Sequence, residues 1–173
     1  MLLFLSNCMF SFSGIQSQIA REIEKNELPA ASNEKTADLC ASLEFQLGYI
    51  LGRRLARAVE FAHLRSLWKP DRKPQIVVSG GVACNQRIRR ILSFVADQNG
   101  CEIIFPPVKY CSDNGVMIAW NGVEKWNKGL DLVPWTQVFD IDAEPRCAFG
   151  TDITEDVLAA NIKNQKINLN ALL

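Results

Sequence analysis

The chain has 173 residues, 48% of them hydrophobic and 22% charged, which is enough for one ordinary domain with a real core and short for two. Nineteen basic residues cancel nineteen acidic ones, so no overall positive field draws the chain to nucleic acid or to an anionic membrane, and any RNA contact must come from a local patch. The six cysteines, Cys8, Cys40, Cys84, Cys101, Cys111 and Cys147, form no C-x-x-C pair; this excludes a zinc finger and reads as reduced, intracellular thiols.

The apolar opening "MLLFLSNCMF" has no basic residue before it and no small-residue cleavage pattern after it, so it reads as structural rather than as a signal peptide. No run reaches the roughly 18 to 20 apolar residues that span a bilayer, and a soluble chain without a membrane partner is expected. "FSFSG", residues 10–14, alternates with the period of a strand that Gly14 ends, and a short helix follows from Ile15 to Glu27. Pro29 in "LPAAS" blocks its continuation, and Ser32 or Asn33 is placed to cap the next helix.

Leu43, Leu47, Ile50, Leu51, Leu55 and Val59 fall at helical spacing and predict one long amphipathic helix to about Trp68, with Arg53, Arg54, Arg57 and Arg65 on its other face. "KPDRKP" is a proline-bounded loop, and "QIVVS" has the length and branching of a buried strand. After Gly80 and Gly81, the spacing of Ile88, Ile91, Leu92 and Val95 predicts a helix to about Gln98, stopped by Asn99-Gly100. "CEIIF" is a second strand ended by Pro106-Pro107, and Val116, Ala119, Trp120 and Val123 mark one face of a further helix. This alternation predicts an α/β layered domain, with ligands outside the carboxyl ends of the strands, where "SGGVACN" and "CSDNG" would share one crevice. Beyond Leu130 periodicity is lost; "VPWTQVFDIDAEPRCAFG" reads as an irregular cover segment, and the end near Leu173 as a short helix or a frayed tail.

The candidate chemistry lies in the two crevice motifs. Without Cβ atoms, Gly80 and Gly81 let the backbone turn sharply and a nucleotide approach the N–H groups of the next helix; close strand–helix packing is the alternative. Asn85, one turn in, can donate to and accept from a purine or ribose edge, or simply favour the helix start. Asp113, between Ser112 and Asn114, is either an N-cap carboxylate or a metal ligand at the crevice mouth, in which case it needs partners from elsewhere. The single histidine, His63, reads as a helix-surface or core-edge residue. The two arginine groups, Arg53, Arg54 and Arg57 on one helix and Arg87, Arg89 and Arg90 on another, are solvated faces or phosphate-tracking patches.

Taken together, "FSFSG", "VVSGGVACNQRIRRIL" and "FPPVKYCSDNGVMIAW", in this order and spacing, resemble the carboxyl-terminal half of the tRNA N6-adenosine threonylcarbamoyltransferase family, over about Phe10 to Pro134. The tryptophans of "IAW" and "VPWTQVFD" make the mitochondrial branch the nearer likeness. The resemblance implies the second lobe of an actin-like, sugar-kinase-like α/β fold, truncated, in residues 1–135, with 136–173 as an irregular cover segment and tail. It implies transfer of a threonylcarbamoyl group from threonylcarbamoyl-AMP, made by a partner synthase, to N6 of adenosine 37 in tRNA. On that reading Asn85 contacts the adenylate, Gly80 and Gly81 form the adenosine-side turn, and no covalent enzyme nucleophile is needed. Asp113 would ligate one divalent metal ion per subunit, iron or zinc; a homodimer and a mitochondrial location are also implied.

The family's His-x-x-x-His pair and its first-lobe glycine-rich loops are not in this sequence, and His63 does not replace them. A metal on one carboxylate would bind weakly, because affinity comes from several ligands together. The chain is therefore expected to be a truncated product or fragment starting at an internal methionine, of doubtful activity on its own. A non-catalytic nucleotide- or RNA-binding module that pairs with another subunit is the alternative, and a different actin-like ATPase or carbamoyltransferase with a similar second lobe is a third.

Overall fold

A computed structural model describes residues 8–26, 28, 33–142, 150–163 and 166–169 of the chain. It is a mixed α/β structure, mostly helical: α1 (Ser13–Lys25), α2 (Asn33–Leu64), β1 (Gln75–Val77), α3 (Gln86–Gln98), β2 (Glu102–Ile104), α4 (Gly115–Lys128) and α5 (Thr154–Ala159). Short 3-10 helices at Gly81–Cys84, Val108–Tyr110 and Trp135–Asp140 punctuate the connections.

The expected strand at "FSFSG" is not formed, and α1 begins at Ser13 and runs through Gly14. The period-2 alternation survives only as Phe10 and Phe12 stacked on one side, ring centroids 6.0 Å apart. An extended run becomes a strand only beside a partner edge, and the one sheet among the described residues contains β1 and β2 alone. The capping expectation at Ser32 lies outside the described residues.

Helix α2 forms as its periodicity predicts but ends at Leu64 rather than near Trp68. Ser66 takes a left-handed φ of 52°, and the Leu67 N–H returns to the Ala62 carbonyl at 2.9 Å, closing the last turn. Nor is α2 a two-faced helix in its second half. Gly48, Gly52 and Ala56 face α3, where Ala56 packs with Ile91, Val95 and Leu169. On another side Phe61 packs with Val157 and Ile162, which brings the end of the chain into the core. Arg54 and Arg57, expected on the solvated face, are instead 8% and 4% exposed, with the Cys8 thiol close enough to interact with both charges. Burial, then Arg57 and Arg53, lower the pKa of Arg54.

β1 and β2 pair in parallel, Ile76 opposite Ile103, across the α3 crossover. Ile76 and Ile103 pack with Val59, Ala96 and Cys101 on one face. On the opposite face Val77 is 67% exposed and Ile104 also projects outward, so the strand expected to be buried is covered on one side only. Helix α4 buries no residue, although Val116, Met117, Ile118, Trp120, Val123 and Trp126 lie on it. The stretch expected to act as a cover carries Trp135 and Phe139 outward; its residues 143–149, like the chain end at 170–173, lie outside the described residues. No described helix is long and apolar enough to cross a membrane.

Candidate functional site

Both quoted motifs emerge at the carboxyl ends of the two parallel strands. The Val78 N–H bonds the Ile104 carbonyl at 3.0 Å, extending the ladder to the brink of the glycine turn. Gly80 then takes φ 101° and ψ 166°, a conformation that a side chain would strain. Among the described residues, chain neighbours aside, no atom lies within 4 Å of where a Cβ would sit on Gly80 or on Gly81. Close packing of strand against helix is therefore not what the glycines serve; they border open space. The chain continues into the 3-10 turn Gly81–Cys84, closed by Ala83 N–H to the Gly80 carbonyl at 2.9 Å.

That inserted turn moves Asn85 from inside a helix to the N-cap of α3. Its Oδ1 accepts from the N–H groups of Arg87 (2.9 Å) and Ile88 (3.1 Å), and its Nδ2 donates to Glu44 Oε1 at 2.6 Å. Because two backbone donors face one atom of the amide, that atom must be the oxygen, which fixes the orientation of the group. The acceptor capacity of Asn85 is spent on the cap, and one amide N–H is left for anything outside the chain. The Arg87 and Ile88 N–H groups at the start of α3 are thereby capped rather than presented to a ligand.

On the second strand's side, Phe105-Pro106-Pro107 leads through Val108–Tyr110 to the buried Cys111. Asn114 caps α4, accepting from Met117 N–H at 3.0 Å and donating to the Ser112 carbonyl at 2.8 Å. Asp113 is thus not the cap: it is exposed and makes no hydrogen bond or ion pair with the described residues. Among the described residues, no three His, Cys, Asp or Glu side chains come together to hold a metal. One carboxylate does not make a metal centre, so the residues present do not by themselves fit one. His63 is exposed in the last turn of α2 with its ring 6.0 Å from that of Trp68.

The residue that joins the two motifs is Arg89. Its Nε donates to the Ala83 carbonyl, while a terminal nitrogen reaches the Pro106 carbonyl at 3.0 Å and Cys111 Sγ at 3.4 Å. Its guanidinium also lies over the Phe105 ring, 4.9 Å from the centroid. Cys84 Sγ adds a long contact of 3.8 Å to the Val108 carbonyl. As a member of an arginine group Arg89 looked like a surface charge; its spacing from Asn85, one helical turn, was the available signal that both lie on the loop-facing side. Glu44 had no such signal, being brought to Asn85 from α2. Arg65 stays at the surface, 3.3 Å from the exposed Asp156 on α5 and over the Phe61 ring.

The family model for tRNA N6-adenosine threonylcarbamoyltransferase matches residues 3–120, spanning both crevice motifs. The chain belongs to this family. It is 36% identical over 168 residues to the zebrafish (Danio rerio) mitochondrial tRNA N6-adenosine threonylcarbamoyltransferase, covering 94% of this chain and 41% of that protein. The human mitochondrial enzyme is 35% identical over 168 residues, with 94% of this chain and 40% of that protein covered. A bacterial relative, the tRNA N6-adenosine threonylcarbamoyltransferase of Rhizobium leguminosarum, is 34% identical over 154 residues, covering 86% of this chain and 38% of its own. The chain thus spans well under half the length of these relatives.

Proposed function

We propose that the chain supplies the adenylate-facing half of a threonylcarbamoyl-transfer site, serving the modification of adenosine 37 in tRNA. The observation that carries this reading is the open space over Gly80 and Gly81 at the carboxyl end of β1, tied by Arg89 to the Asp113 loop at the end of β2. In the proposed reaction the N6 amine of adenosine attacks the carbamoyl carbon of threonylcarbamoyl-AMP. The new C–N bond forms as the bond from that carbon to the phosphate oxygen breaks; AMP leaves with the electron pair and N6 gives up one proton. The glycine turn lets the adenylate come against backbone, and the remaining Asn85 N–H donates to it. Holding the two reactants in one orientation is the main contribution asked of these residues.

Asp113 is proposed as one metal ligand, its companions lying outside this chain; no step is assigned to the metal, since the described residues do not complete its site. As the second lobe of an actin-like fold, the chain would bind the adenylate on its own half of the site but transfer the group to tRNA only together with a first lobe. The zebrafish and human relatives are named mitochondrial, and the same compartment is proposed here.

Calorimetric titration with AMP and with threonylcarbamoyl-AMP tests the site. Asn85→Ser keeps an oxygen for the α3 cap while removing the amide donor, and Asp113→Asn removes the charge. Each is expected to weaken threonylcarbamoyl-AMP binding, Asn85→Ser by roughly tenfold, the scale of one hydrogen bond. Parent-like affinity in both variants rejects the site. Robust modification of tRNA by this chain with only the synthase, threonine, bicarbonate and ATP added rejects the need for a first lobe.

A further inference from the structure

We infer that Arg89 is a positioning residue that sets the Gly80–Gly81 turn and the Asp113 loop at a fixed separation, so that the two act as one binding surface. This rests on the adenylate reading above for its purpose, but not for its geometry. The guanidinium is planar, with five N–H donors in a rigid fork, so one group can address acceptors on two loops at once. Here one edge takes the Ala83 carbonyl of the glycine turn and the other the Pro106 carbonyl and Cys111 Sγ of the second loop. The Phe105 ring beneath restricts the plane of the fork.

The base from which Arg89 reaches is itself rigid. Asn85 caps the first turn of α3, and Ile88, Ile91, Leu92 and Val95 bury an adjoining side of that helix. Among the described residues the loops have little else of comparable strength between them: the Cys84 thiol is a weak donor to the Val108 carbonyl at a long 3.8 Å. Beyond the strand ladder, which ends at the Val78 to Ile104 bond, the separation of the two loops is therefore set from α3 through this one side chain. A lysine cannot reproduce it, since an ammonium on a flexible stem is a point charge and does not span the two acceptor sets.

Hydrogen–deuterium exchange on the whole chain, with AMP as the probe ligand, decides this. In Arg89→Gln, amides of both 80–84 and 108–112 are expected to exchange on the order of tenfold faster or more, while Ile91–Ala96 keeps parental rates. AMP affinity is expected to fall about tenfold in Arg89→Gln and to be only partly restored in Arg89→Lys. Free guanidinium at low millimolar concentration is expected to recover affinity in Arg89→Ala, a response that a general loss of stability would not give. Faster exchange confined to one loop, or unchanged in both, overturns the inference. Should Arg89→Gln lose protection in α3 as well, Arg89→Lys decides by the same comparison, and loss of α3 protection in both makes Arg89 a core residue instead. If the parent does not bind AMP, the adenylate reading fails while the exchange comparison still settles the coupling.

Discussion

Cys101 sits at 3% exposure between Val59 and Ala96, and burial raises its thiol pKa above the ordinary 9.0. Burial raises Cys8 as well, outweighing the opposite pull of Arg57 and Arg54. Since the thiolate is the nucleophile, iodoacetamide near neutral pH should modify the exposed Cys40 before Cys101 and Cys8, as peptide mass spectrometry of timed samples will read. The same shifts set a direction for stability. A thiol whose folded pKa exceeds its unfolded one contributes fully below the unfolded value, and that contribution is lost as pH rises through the folded value. The urea midpoint should therefore decline above about pH 9 and decline less in Cys101→Ala, whose measured baseline is compared with itself. Asn85 illustrates the limit of reading single residues: its two candidate roles were visible in the sequence, but the cap depends on an intervening 3-10 turn, and its Glu44 partner is 41 positions away.

At the scale of elements, α2 against α3 is the principal packing in the molecule. A Cβ on Gly48 would stand 2.3 Å from Ile91 Cδ1, and one on Gly52 would stand 3.0 Å from Val95 Cγ2, so the two glycines let the helices approach side chain to backbone. Gly48→Val should cost about 1–3 kcal/mol by overpacking, despite removing a helix-interior glycine. Pairing it with Ile91→Val, which retracts the clashing methyl, should cost less than the sum of the single changes in a urea double-mutant cycle. Periodicity placed α2, α3 and α4 and the two strands to within a few residues. It could not show which face of α2 is buried, because Gly48 and Gly52 count as breakers by propensity and Arg54 and Arg57 as surface by charge, until a neighbour encloses them.

For the whole molecule, the decisive feature is the apolar surface left outside. Parallel sheets are ordinarily covered on both faces, yet here the face bearing Val77 and Ile104 is open. Trp126 on α4 is 72% exposed and Phe139 is 92% exposed. Patches of this kind mark association surfaces. The chain alone is expected to self-associate, eluting from sizing chromatography ahead of its monomer mass of 19.4 kDa, with Trp120→Glu plus Trp126→Glu shifting it toward monomer at unchanged helicity. A sharp monomer peak from the parent, with cooperative unfolding, would count against this. "FSFSG" has the alternation of a strand without being one, because among the described residues no strand pairs with it.

The amino-acid sequence by itself determined the family, the helix and strand positions between residues 33 and 128 and the two motifs, because each depends on local order: periodicity, glycine and proline punctuation, and spacing along the chain; the short α5, in a stretch without periodicity, was not legible there. Only the tertiary structure decided that the glycines border open space, that Asn85 spends its oxygen on a cap, that Asp113 stands free of one, and that Arg89 holds the two loops together. Those outcomes depend on which groups meet across distances the chain does not encode locally. A hydrogen bond or a buried charge acquires its role from its partner, and the partner is brought there by the fold.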